Sequence, residues 1–102
     1  QGALKIRKQY PTALLVFVSA PNAKELRRRL SGRGTETAEV IDRRLHRAAQ
    51  EAEGIEEYDY IVVNDDLEKC VKELHEIIDA AHHAPWRNEE FIEKMRRELI
   101  ED

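Results

Sequence analysis

The run Ala13–Ala20 is the feature that most restricts the possible fold of this chain. Its residues, ALLVFVSA, are apolar almost without interruption and rich in strand-forming types, and the run is too short for a typical helix. A strand of this kind is buried on both faces, which is typical of a parallel sheet. Tyr58–Asn64 is a second strand-forming run. We therefore predict two parallel strands, at 13–20 and 58–64.

Helical patterns fill the stretches around these strands. Apolar residues at spacings of three and four predict helices at 2–10, 23–30, from 35 or 37 to about 54, 67–81 and 88–99. The predicted N-caps are Asn22, Thr35 or Thr37, Asp65 and Asn88. Strands that alternate with helices indicate the α/β class. Two strands are too few for a sheet covered on both faces, so we expect part of this sheet to be missing from the chain.

Charge is distributed unevenly. The net charge is −4, which argues against a general nucleic-acid binder, yet residues 24–47 hold eight Lys/Arg against four Asp/Glu. A local basic region in an acidic chain favours a small anionic ligand. Cys70 is the only cysteine, and no apolar run approaches the ~20 residues that span a bilayer. We therefore expect a cytoplasmic protein with neither nucleic acid nor membrane as a partner.

Three arginines stand out within this basic region. Arg29 and Arg33 lie four apart where a helix meets a loop with Gly32 and Gly34, and Arg44 follows in the next helix. The planar guanidinium group binds phosphate oxygens in pairs. On a segment with glycine hinges, such groups suit a lid that closes over a nucleotide polyphosphate. The alternative interpretation is a solvated basic helix face.

Several pieces of the chain together resemble one family. They are Gln1-Gly2-Ala3, Leu30-Ser31-Gly32-Arg33-Gly34-Thr35-Glu36, Arg43-Arg44-Leu45 and the stretch YDYIVVNDDL at 58–67. Over residues 1–81 the chain resembles the C-terminal half of guanylate kinase. Residues 82–102 resemble a helical extension of some bacterial members. The resemblance implies part of a P-loop kinase-type parallel sheet, with a lid segment at about residues 31–43. It also implies transfer of the ATP γ-phosphoryl group to GMP, with Mg²⁺ as cofactor.

The resemblance also assigns roles to individual residues. Arg29, Arg33 and Arg44 would surround the ATP phosphates and the phosphoryl group in transfer. Asn64 would contact the adenine ring, and Asp65 adjoins it, so that Arg33, Asn64 and Asp65 form the nucleotide-binding set. The structural alternatives are strand termination for Asn64 and a helix cap for Asp65.

One departure from the family pattern restricts what the chain can do alone. The sequence contains no G-x-x-x-x-G-K-[ST] motif, so the phosphate cradle, its lysine and its Mg²⁺-binding hydroxyl are absent from it. No metal ligands are predicted in this chain. We expect the isolated chain to be inactive as an enzyme.

Two interpretations compete with a catalytic piece. A guanylate-kinase-like, non-catalytic protein-binding module is the alternative function, although an arginine lid disfavours it. The chain could also self-associate through the free edge of strand 13–20. The amphipathic helix Phe91–Leu99 either packs on the domain as a strap or binds a partner.

Overall fold

The predicted order of elements is present in the computed structural model, which describes residues 2–32, 34 and 36–101. In this part of the chain the elements are α1 (Gly2–Gln9), β1 (Val16–Ser19), α2 (Ala23–Ser31), α3 (Ala38–Ala52), β2 (Tyr60–Val63), α4 (Leu67–Ala81) and α5 (Glu89–Glu101). Single 3₁₀ turns at Ile55–Glu57 and Pro85–Arg87 precede β2 and α5. The α/β class is confirmed.

The two strands form a parallel pair in which Val16 lies opposite Tyr60 and Ser19 lies opposite Val63. Both strands are shorter than the predicted runs 13–20 and 58–64. Just before the paired region the Leu15 carbonyl oxygen accepts from the backbone N–H groups of Asp59 and Tyr60, at 2.8 and 3.2 Å, while the Leu15 N–H donates to the side chain of Asp59 at 2.9 Å. A strand is defined by its paired backbone groups, and here only β2 is available to pair with β1.

Asp59 also connects α1 to the sheet. Arg7 Nη2 donates to Asp59 Oδ1 at 3.1 Å and to the Glu57 carbonyl oxygen at 3.0 Å. Ala3 in the same helix is buried. The start of β2 is therefore held by α1 on one side and by Leu15 on the other.

Side-chain caps begin three of the helices. Asn22 Oδ1 accepts from the Glu25 N–H at 2.7 Å, and Thr37 Oγ1 accepts from the Val40 N–H at 3.3 Å. The predicted cap Asp65 is wrong, because Asp66 has the extended backbone of an N-cap and its Oδ1 accepts from the Glu68 N–H at 3.1 Å. One more residue than predicted separates β2 from α4.

Asn88 plays a different part from the simple cap that was predicted. Its side-chain amide donates to the carbonyl oxygens of His82 and Ala84, each at 2.8 Å, while its own backbone carbonyl accepts from the Ile92 N–H. The side chain thus secures the turn between α4 and α5.

The core of the described region is small. Its buried apolar residues are Ala3, Leu15, Val62 and Cys70. The radius of gyration is 19.5 Å, whereas a compact domain of this length has about 13 Å. Apolar side chains that the strand pattern predicts to be buried are therefore left at the surface.

Helix α4 also leaves apolar side chains at the surface. The predicted apolar stripe of α4 is only partly covered, since Leu67 is 68% exposed and Val71 and Ile78 are also exposed. Cys70, beside that stripe, is the buried residue of the helix, as expected for a core cysteine. Only β2 packs extensively on α4, so one narrow face is sheltered.

The C-terminal extension is attached through its first turn. Arg87 Nη2 donates to the Thr12 carbonyl oxygen at 2.7 Å, and its guanidinium group lies 4.0 Å from the centre of the Trp86 ring. Helix α5 packs mainly against this turn and leaves Phe91 and Leu99 exposed. Among the described residues, this packing does not support the interpretation of Phe91–Leu99 as a strap on the domain. None of the described helices is long and apolar enough to cross a bilayer.

Candidate functional site

Helix α2 carries the first candidate arginine in its last turn. Glu25, one turn earlier, accepts from Arg29 Nε at 2.8 Å and binds Arg28 through two hydrogen bonds of 2.8 and 2.6 Å. These bonds, first that of Arg28 and then that of Arg29, lower the pKa of Glu25 to about 2. Arg28 therefore pairs within its helix, and Arg29 holds an anionic oxygen as well.

Arg44 lies on α3, which packs against α2. Its Nη2 contacts Glu36 Oε1 at 2.8 Å, which joins the residue before the N-cap of α3 to the second turn of that helix. The other oxygen of this carboxylate, Oε2, is buried and has no hydrogen-bond partner among the described residues.

The loop between α2 and α3 turns at Gly34. Gly34 has φ = +65°, a conformation that favours glycine, and its N–H donates to the Ser31 carbonyl oxygen at 3.1 Å. Gly32 has ordinary helical angles and ends α2. Arg33, the third candidate arginine, lies outside the described residues.

Asn64 and Asp65 follow directly after β2. The Asn64 N–H donates to the Ser19 carbonyl oxygen at 2.7 Å, so the polar end of β2 lies beside the end of β1. Asp65 lines a groove of about 610 Å³ that runs along β2 and α4. Ligands of open α/β sheets bind at this carboxyl edge of the strands.

The candidate residues therefore fall into two groups. Arg29 and Arg44 lie on two helices that pack together, while Asn64 and Asp65 lie at the end of β2. Both groups start from the same edge of the sheet, because α2 follows β1 and Asn64 is bonded to the last residue of β1.

Sequence reasoning missed the part played by two acidic residues. The spacing of four between Glu25 and Arg29 is a readable signal for an ion pair within a helix. The Glu36–Arg44 contact spans the start of α3 and has no such spacing rule, so only the tertiary structure reveals it.

Metal binding finds no support in the described residues. They contain no group of three or more His, Cys, Asp or Glu side chains that could hold a metal ion. The Asp66 carboxylate accepts from the backbone of α4.

Comparison with known proteins gives a consistent result. A family model described as guanylate kinase matches residues 1–81. A guanylate kinase of Halalkalibacterium halodurans is 43% identical over 99% of this chain and 48% of that protein. The guanylate kinase of Alkalilimnicola ehrlichii is 41% identical over 98% of this chain and 49% of that protein. That of Chromobacterium violaceum is 51% identical over 78% of this chain and 38% of that protein. The chain spans about half the length of the first two of these curated relatives. It belongs to the guanylate kinase family.

Proposed function

We propose that this chain is part of a guanylate kinase that transfers the γ-phosphoryl group of ATP to GMP, giving ADP and GDP. Its contribution is the set of lid arginines and the adenine contacts. The observation that carries the proposal is that Arg29 and Arg44 both contact anionic oxygens. Each already holds a carboxylate oxygen at 2.8 Å, on two helices that pack together.

The arginines act on the phosphates. A carboxylate oxygen in contact with a guanidinium group stands in for a phosphate oxygen, because both are anionic acceptors of the same N–H donors. Phosphoryl transfer requires mainly positioning and neutralisation of charge. Arg29 and Arg44 would supply that neutralisation, with Arg33 assigned beside them by family resemblance.

Asn64 and Asp65 contact the adenine base of the nucleotide. The Asn64 side chain is half-buried at the carboxyl edge of the sheet, where a base can approach it. An amide offers both a donor and an acceptor, as adenine recognition requires. Asp65 is exposed and not engaged as a cap, which leaves its carboxylate free for the role that the resemblance implies.

The remaining machinery comes from outside this chain. The sequence contains no P-loop motif, so the lysine and glycines that hold the phosphates have to come from the other half of a complete enzyme. Mg²⁺, when bound, neutralises charge on the β- and γ-phosphates. We further propose a cytoplasmic location, supported by the free, buried Cys70.

The test uses a chimera in which this chain replaces the aligned region of the Halalkalibacterium halodurans guanylate kinase. We expect Arg44→Ala to lower kcat for GDP formation roughly 10³-fold, as for other arginines that stabilise transferring phosphoryl groups. Arg29→Ala should also lower kcat for GDP formation. A coupled assay of ADP release measures both.

Arg27→Ala is the matched control, because Arg27 is exposed and lies on the same helix as Arg29. It should leave kcat unchanged. Equal losses for the Arg27 and Arg44 variants would contradict the assignment of the arginines. A folded chimera that neither binds ATP nor forms GDP would instead favour the non-catalytic binding module.

A further inference from the structure

Glu36 lies just before the N-cap of α3, and its side chain contacts Arg44 in the second turn of that helix. Glu36 precedes Thr37, whose hydroxyl caps α3 by accepting from the Val40 N–H. The carboxylate is thereby held at the beginning of α3, and its Oε1 contacts Arg44 Nη2 at 2.8 Å. The guanidinium group thus has a defined partner before any nucleotide arrives.

Stability does not account for this contact. The Arg44 side chain is 52% exposed, and ion pairs of this kind contribute little to folding because water screens them. The second oxygen of Glu36 is buried without a partner among the described residues, which is unfavourable. A contact with little net benefit to folding is better explained by what it does to Arg44.

The geometry also leaves Arg44 able to bind phosphate. The 2.8 Å contact in the structure is made by Nη2, whereas a guanidinium group has five N–H donors. A carboxylate on one nitrogen restricts rotation of the group while the other donors remain available. A preorganised donor costs no reorientation at the moment of reaction.

We propose that Glu36 is a positioning residue that orients Arg44 toward the transferring phosphoryl group. The proposal rests on the proposed function, because it assigns Glu36 to the same phosphate-binding region. Glu25 differs from Glu36, since it is shared between Arg28 and Arg29 within one helix. Glu36 instead connects the lid segment to α3.

The test compares Glu36→Gln, Arg44→Ala and the double variant in the chimera described above. Glutamine keeps the shape of the side chain and removes its charge. We expect Glu36→Gln to lower kcat roughly 10- to 100-fold, the loss that a misplaced catalytic group produces, with KM for GMP and Tm unchanged. Added to Arg44→Ala, it should cause no further loss, because residues that act through one another are not additive.

Glu39→Gln is the matched control, since Glu39 is an exposed acid in the first turn of α3. It should retain full kcat. An unchanged kcat in Glu36→Gln would overturn the proposal. So would an equal further loss in the Arg44→Ala background, which would show that Glu36 acts by itself. If Arg44→Ala alone leaves kcat unchanged, the proposed function of Arg44 fails instead.

A second measurement needs no turnover. NMR of the Arg44 guanidinium group in the nucleotide-free chimera should show restricted rotation in the parent and in Glu39→Gln, and averaged signals in Glu36→Gln. Equal mobility in all three proteins would contradict the orienting contact, whatever the activity of the chimera.

Discussion

Two regions of the molecule differ in how far their side chains find partners. One is the loop between α2 and α3 with these two helices, and the other is the two-stranded sheet. In the first region the arginines of α2 and α3 find carboxylates nearby, at 2.6 to 2.8 Å. In the sheet, Val18, Ile61 and Val63 are 49%, 52% and 47% exposed, although their pattern is that of buried strands. The charged contacts of the first region are made among the described residues, except that Glu36 Oε2 has no partner there, whereas the apolar faces of the sheet are left open.

This difference reflects the range over which each interaction acts. An ion pair within a helix needs a partner three or four residues away, which the same helix supplies. A parallel strand needs further strands along its edges and helices over both faces, which come from distant parts of a chain. A region of local contacts can therefore form in this chain, while the sheet requires more surface to cover it.

The largest expected effect concerns turnover. The chain by itself should not convert GMP to GDP, because the P-loop lysine and glycines are absent from its sequence. The chimera should restore activity. A coupled assay measures the turnover of the pure chain and of the chimera. Turnover by the pure chain within the ~1–10³ s⁻¹ range typical of enzymes would contradict the prediction.

Next in size is the effect on association. We propose that the chain pairs with a second copy through the free edge of strand 13–20, because β2 is the strand bonded to β1 within the part of the chain that the structure describes. Val18→Lys should shift the chain toward the monomer in sedimentation velocity, because a charge on an edge strand opposes pairing.

Leu99→Lys is the control for that experiment, since Leu99 is 70% exposed but lies on α5. If Leu99→Lys rather than Val18→Lys dissociates the copies, the contact surface is α5. A stable monomer of the parent chain with rapid amide exchange along Leu14 to Val18 would argue against strand pairing altogether.

The smallest effect tests a local contact. Asp66→Ala should lower the free energy of unfolding by about 1 kcal/mol, because Asp66 caps α4. Asp65→Ala should change it by less than about 0.5 kcal/mol. Urea unfolding measures both, and a larger loss for Asp65 would reverse the assignment of the cap.

Much of this architecture could be predicted before the structure. The order of elements, the parallel pairing and the cap Asn22 follow from periodicity and side-chain chemistry, whereas the sequence left the cap of α3 open between Thr35 and Thr37 and the structure shows Thr37. The sequence analysis places the third cap one residue too early, at Asp65 instead of Asp66. Either carboxylate can accept an N–H bond, and only the path of the chain after β2 places Asp66 at the start of α4.

The candidate site, like the fold, could be predicted only in part from the sequence. The sequence by itself indicated the candidate residues, since arginine forks beside a glycine loop and polar residues after a strand are local patterns. Only the tertiary structure showed that Glu36 holds Arg44 and that Asn64 lies beside the end of β1. Local patterns depend on the geometry of one turn or one strand. Contacts between elements depend on how those elements pack, which no spacing along the chain specifies.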